Sequence, residues 1–156
     1  SHLPLDMHPE VGHNAVIARE LGIDANTPFF AYHGTPIGWC GDLAKSASVA
    51  DVAVRLGTIL GIESAVVGDP DRTVRRVGIV SGGGADAIEK CAVAEAECLI
   101  TGELTHQHYH SALEADVPVV VGGHYATEVP GVREVMKRVR HELDVECRFV
   151  DVPTGL

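Results

Sequence analysis

Arg76-Val77-Gly78-Ile79-Val80-Ser81-Gly82-Gly83-Gly84-Ala85-Asp86-Ala87 runs from an apolar segment through three glycines into residues that suit a helix. The unbroken apolar run ending at Val80 fits a strand covered on both faces. Three successive glycines permit a sharp turn, and a helix is expected from about Ala85 to Glu95. The same sentence structure repeats downstream. Strand Cys98–Thr101 leads to a helix from about Thr105 to Ala115. Strand Pro118–Val121 leads to a helix from about Pro130 to Leu143, and a strand Glu146–Val150 closes the chain. Upstream, strand Ser64–Val67 joins the decisive stretch through the turn Gly68-Asp69-Pro70-Asp71. Alternating strands and helices with short links predict an α/β fold, a mostly parallel sheet flanked by helices.

The first part of the chain is less regular. Asn14 to Gly22 reads as a short helix with Ala15, Ile17, Ala18 and Leu21 on one face, Asn14 as N-cap and Gly22 as stop. Short strands are expected at 28–33 and 37–39 around Gly34-Thr35-Pro36. Ser46 or Ser48 can cap a helix running to about Leu60. One α/β unit over 1–156 is expected, with a polar stretch near 24–28 as an internal boundary.

The 156 residues carry a net charge of -10, which opposes a phosphate backbone and disfavours nucleic-acid binding. No run reaches the roughly 20 apolar residues that span a bilayer, and no signal peptide is visible. Cys40, Cys91, Cys98 and Cys147 form no CxxC pair and sit in or beside apolar stretches. They read as buried free thiols of a reducing compartment, and the expected location is the cytoplasm.

In sheets of this kind chemistry gathers at the carboxyl ends of the strands. Three loops there are unusual: Ser81 to Asp86, Thr101-Gly102-Glu103, and Gly122 to Glu128. His124 and Glu128 are four residues apart, so one helical turn lets imidazole and carboxylate reach one ion. By spacing alone a surface ion pair is the commoner outcome. Asp6 and His8, two apart in an extended run, would face the same way and suit a metal, or form a turn before Pro9. Of His106, His108 and His110, the first two read as a solvated helix start, whereas His110 lies deeper beside Ala112 and Leu113. Gly82, Gly84 and Ala87 also fit a GxGxxA dinucleotide turn, with Glu103 placed where a ribose carboxylate would sit. Three glycines equally serve a plain strand-to-helix turn.

Taken together, His2-Leu3-Pro4-Leu5-Asp6-Met7-His8-Pro9 with Gly12-His13-Asn14, then Ile100-Thr101-Gly102-Glu103, His110-Ser111-Ala112 and Gly123-His124-Tyr125-Ala126-Thr127-Glu128 with Pro130-Gly131 resemble the Nif-three-like dinuclear-metal proteins, also called the GTP cyclohydrolase I type 2 family. The blocks occur in order across the whole chain. The resemblance implies a homohexamer whose metal sites face an internal cavity. It implies two divalent metal ions (zinc, iron or manganese), with Asp6, His124 and Glu128 as ligands and Glu128 bridging. Glu103 and His110 match positions suited to acid–base work, and His2 and His8 flank Asp6 as orienting groups. The family's adjacent His-His-Gly motif has no counterpart here, so the chain reads as the downstream part of a longer family protein. The implied function is a metal-dependent hydrolase acting on a small molecule, a nucleotide such as GTP. The alternatives are a non-catalytic hexameric metal-binding scaffold or regulatory protein and, further off, a dinucleotide-binding oxidoreductase.

Overall fold

The computed structural model describes residues 3–154. Helices α1 (Leu3–Met7) and α2 (His13–Leu21) precede strands β1 (Ile23–Tyr32) and β2 (Thr35–Ser48). Helix α3 (Val49–Leu60), β3 (Ala65–Val67) and β4 (Thr73–Val80) follow. After a 3-10 turn at Ala85–Ala87 come α4 (Ile88–Ala94), β5 (Cys98–Thr101), α5 (His106–Glu114), β6 (Val119–Val121), α6 (His124–Thr127) and α7 (Val129–Leu143). The strands form one six-stranded sheet in the order β1-β2-β4-β5-β6-β3.

The α/β architecture with helices on both faces is as the sequence predicts, but the mostly parallel sheet is a mixed one. Parallel pairing is confined to β4-β5 and β5-β6. The pairs β1-β2, β2-β4 and β3-β6 are antiparallel. For β1-β2 the reason is local. His33 and Gly34, both at positive φ, form a two-residue connection between β1 and β2. A link that short can only reverse the chain into a hairpin, whereas parallel neighbours need a helical crossover. The two expected short strands are therefore parts of a long ribbon. Residues 24–28, read as a boundary, lie within β1 and pair with β2 around a bulge between Ala25 and Thr27.

The central strands bury both faces because successive side chains point oppositely. Val77, Ile79, Ile100 and Val120 pack against Ile17, Leu21, Val52 and Leu56 of α2 and α3. Val80, Leu99 and Val119 pack against Ile88, Cys91 and Ala112 of α4 and α5. Ser48 caps α3 by accepting from the Asp51 N–H at 3.0 Å, and Gly22 ends α2 in the left-handed conformation. The N-cap of α2 is Gly12 and not Asn14, which lies inside the first turn with other work to do.

The expected closing strand at 146–150 does not form. The free edge of β6 is already taken by β3, so no sheet position remains beside it. The final segment instead lies against α6 and α7. Phe149 sits under the Arg133 guanidinium at 4.6 Å, and Asp151 accepts from the Tyr125 hydroxyl at 2.6 Å.

Cys40, Cys91 and Cys98 are buried free thiols, and Cys147 is half-buried. Burial pushes the Cys91 and Cys98 thiols up to about 12, and a thiol without thiolate is a poor nucleophile. Iodoacetamide at neutral pH is expected to label Cys147 in the native protein and all four cysteines only after unfolding. Peptide mass spectrometry checks this, and early labelling of Cys91 or Cys98 would contradict it.

One exposed carboxylate gives a pH signature. Glu97 accepts from the backbone N–H groups of Arg76 and Arg75 at 3.0 and 2.6 Å, and these bonds hold its pKa below the ordinary 4.5. A carboxylate whose pKa falls on folding stabilises the fold above its unfolded value, and that contribution is lost as pH drops through the folded value. Glu97→Gln is therefore expected to lower stability slightly at pH 7 and to flatten the acid limb of stability below about pH 4.5. Urea unfolding across pH 3–7 tests it, and parallel curves for both proteins would refute it.

Candidate metal centre

The site forms where the three parallel strands end. The loops after β4, β5 and β6 bring together Ser81 and Gly82, Gly102 and Glu103, and Gly122 to Glu128. Crossing strands in parallel aligns their carboxyl ends, which is why residues so far apart in sequence meet.

Gly82 is the hub. Its φ is +61°, and a Cβ there would lie 2.3 Å from Glu128 Oε1 and 3.1 Å from His124 Nε2. Its carbonyl accepts from Gly102 N–H at 2.9 Å, Glu103 N–H at 3.1 Å and the Thr101 hydroxyl at 3.2 Å. Its N–H donates to Thr127 Oγ1 at 3.0 Å. Thr127 is fully buried and its hydroxyl also reaches the carbonyls of Gly123 and His124 at 2.9 and 3.0 Å. The turn that carries His124 is thus fastened to the glycine loop.

His124 sits between two carboxylates. Its Nδ1 lies 3.2 Å from Glu103 Oε2 and its Nε2 lies 3.3 Å from Glu128 Oε1. Glu128 is partly shielded, whereas Glu103 and His124 are more open. Two arrangements of protons satisfy this geometry. A doubly protonated imidazole would donate to both carboxylates. A neutral ring would donate Nδ1–H to Glu103 and turn the Nε2 lone pair toward the Glu128 carboxylate, an arrangement of two acceptors that calls for a cation between them. The second is the usual way a carboxylate orients a metal-binding histidine. Ligands at about 2.0–2.2 Å on a tetrahedral ion lie about 3.3–3.6 Å apart, and the Nε2 to Oε1 spacing of 3.3 Å falls at the short end of that range. Among the described residues, no three or more His, Cys, Asp or Glu side chains are grouped so that they could hold a metal ion.

Asp6 lies against Ser81 at the start of the same loop. It is 4% exposed and accepts from the Ser81 hydroxyl at 2.9 Å. It belongs to α1, not to an extended run, and the expected common orientation with His8 is lost. Pro4 is tolerated in the first turn of a helix, and the turn carries Asp6 inward. His8 Nδ1 instead accepts from the backbone N–H groups of Glu10 and Val11 at 3.1 and 3.2 Å. His2 lies outside the described residues.

The residue that ties these parts together is the one the sequence suggests as a helix cap. Asn14 is fully buried. Its side-chain amide donates to the carbonyls of Asp6 at 3.0 Å and Ile37 at 2.7 Å, and its oxygen accepts from Ser81 N–H at 2.7 Å. Beside it, the buried His13 accepts from Gly131 N–H at 3.0 Å through Nδ1, joining α2 to the start of α7. A polar residue inside an otherwise apolar helical face was the available signal.

The remaining candidates fall elsewhere. His110 is exposed, and among the described residues no hydrogen bond or ion pair joins it to His124, Glu103 or Glu128. His108 bonds Thr105 Oγ1 and Asp86 Oδ1, both at 2.9 Å. Tyr125 points away toward Asp151, whose carboxylate holds the phenol above its ordinary value. The dinucleotide turn fits poorly, because Glu128 and Glu103 press carboxylates onto Gly82 and Gly83 where a pyrophosphate would need to approach.

The whole chain has close counterparts. Residues 1–155 match the family model described as Duf34/NIF3 (NGG1p interacting factor 3). A Deinococcus radiodurans protein named GTP cyclohydrolase 1 type 2 homolog is 40% identical over all of this chain, which covers 59% of that relative. A Pyrococcus horikoshii protein of the same name is 41% identical, with 99% of this chain and 62% of the relative aligned. This chain therefore spans about three-fifths of the length of these curated relatives. A solved structure titled as protein ybgI, of unknown function, superposes with a TM-score of 0.89 at 33% identity, covering 99% of this chain and 61% of its own. The histidine between two carboxylates, set over a glycine loop at the ends of parallel strands, is thus a feature of a chain that belongs to the DUF34/NIF3 family.

Proposed function

We propose that this chain supplies the divalent-metal site of a hydrolase of the GTP cyclohydrolase type. The observation that carries the reading is His124 held between Glu103 and Glu128 above glycines that keep side chains out of the way. The names of the relatives support the reaction type. His124 Nε2 and Glu128 would hold the ion beside the glycine loop, and Asp6 would contribute from the start of that loop at Ser81. A bound divalent ion lowers the pKa of its water and polarises an electrophilic substrate atom. Glu103 keeps the His124 tautomer by accepting Nδ1–H, which leaves Nε2 its lone pair. Glu103 is also the exposed carboxylate at the loop, placed to take a proton from the attacking water and return it to the leaving nitrogen of an opened ring. The homohexamer implied by the family resemblance belongs to the same proposal, and light scattering reads it directly.

Metal content and GTP turnover of the full family protein separate the parts of this reading. Glu128→Ala is expected to abolish stoichiometric metal and turnover together. Glu103→Gln is expected to weaken metal affinity about 10–100-fold, as removal of an orienting carboxylate does. A protein that holds stoichiometric metal yet leaves GTP unchanged would remove the cyclohydrolase part and favour a metal-binding scaffold. Undiminished metal in Glu128→Ala would remove the metal part as well.

A further inference from the structure

The histidines on α5 are not used by the centre described above, and two of them stand as a pair. His106 and His110 are one helical turn apart and both exposed. Their ring centroids lie 5.2 Å apart, with the planes crossed at 87°. Among the described residues neither side chain makes a hydrogen bond or an ion pair. His108, between them in sequence, is committed elsewhere through Thr105 and Asp86. Tyr109 packs edge-on against the His110 ring at 5.5 Å, which helps to fix its orientation.

The spacing has a chemical meaning. With metal–nitrogen bonds of about 2.0–2.1 Å and tetrahedral angles, two imidazoles on one ion have centroids about 5.2 Å apart. Right-angled coordination, as in square-planar or octahedral sites, would bring them to about 4.5 Å. An edge-to-face contact between aromatic rings accounts for the same arrangement without a ligand, so the experiment below has to distinguish the two. Helix position matters as well. Residues at i and i+4 present their side chains on one helix face, so both rings are within reach of one ion.

We propose that His106 and His110 form a second metal site, an exposed two-histidine clamp for a tetrahedral divalent cation, with Zn2+ the cation that best fits. Water fills the other two positions, which makes the ion exchangeable. The site is separate from the one at His124 and does not depend on that reading.

Zinc titration of the purified protein in the Glu128→Ala background isolates the clamp from the proposed centre. One zinc equivalent is expected there, lost in His106→Gln and equally in His110→Gln, and retained in His108→Gln. Magnesium at the same concentration is expected not to displace it, since it prefers oxygen ligands. In spectra of the imidazole protons, the signals of His106 and His110 should move together on adding zinc while those of His108 stay in place. Circular dichroism checks that the helix is intact in each variant. Absence of the equivalent, its survival in either single variant, or its loss in His108→Gln would overturn the proposal. Failure of the Glu128 reading would appear separately, as an extra equivalent that persists in Glu128→Ala.

Discussion

Replacing Gly82 with alanine is expected to abolish the proposed metal binding while lowering the unfolding free energy by only about 1–2 kcal/mol. The two effects have different causes. A residue with a Cβ at φ +61° suffers left-handed strain of about 1–2 kcal/mol. The new methyl would also lie 2.3 Å from Glu128 Oε1. Glu128 can swing its carboxylate aside at little cost in stability, because that oxygen is the far end of a flexible side chain. The same oxygen is the proposed ligand, so the swing removes it from the edge it shares with His124 Nε2. Zinc or manganese titration measures the first effect and urea denaturation the second. Unchanged metal affinity in Gly82→Ala would show that Glu128 is not positioned over the loop as described.

Replacing Asn14 with alanine should have the larger effect on stability, about 3 kcal/mol. The substitution strips partners from the Ser81 N–H and from the Asp6 and Ile37 carbonyls. Each buried polar group left unsatisfied costs about 1–3 kcal/mol. The carbonyls retain some capacity to relax, so the sum is taken near the lower end. At about 2–4 °C per kcal/mol for a chain of this size, the melting temperature should fall by roughly 10 °C. Asp6 should also lose its fixed orientation, since Ser81, the donor to its carboxylate, would no longer be held. A loss under 1 kcal/mol would mean that water or a neighbour replaces the amide, and the account of Asn14 as the tie between α1, β2 and the glycine loop would fail.

What could be read in advance followed the reach of each interaction. The strands that became β4, β5 and β6 announced themselves because strands buried on both faces need unbroken apolar runs such as Val77 to Val80 and Val117 to Val121. Caps were legible where the cap is a local bond, as at Ser48, or a local conformation, as at Gly22. Asn14 was misread as a cap because its partners lie at Ile37 and Ser81, which no local pattern reveals. The same holds for the last strand. Residues 146–150 have suitable composition, but whether a strand forms depends on which strand the packing brings alongside, and the place beside β6 belongs to β3.

The candidate site divides along the same line. By itself the sequence determined the residue types, the His124–Glu128 interval of one helical turn and the glycines that leave room for them. Whether those side chains meet was decided only by the parallel crossing of β4, β5 and β6, which aligns the ends of three strands. That alignment puts Glu103 on one nitrogen of His124 and Glu128 on the other, and it leaves His110 in solvent. Spacing along a chain fixes which face of one element a residue occupies. Distances between elements are set by the packing of the core, and no single segment carries that information.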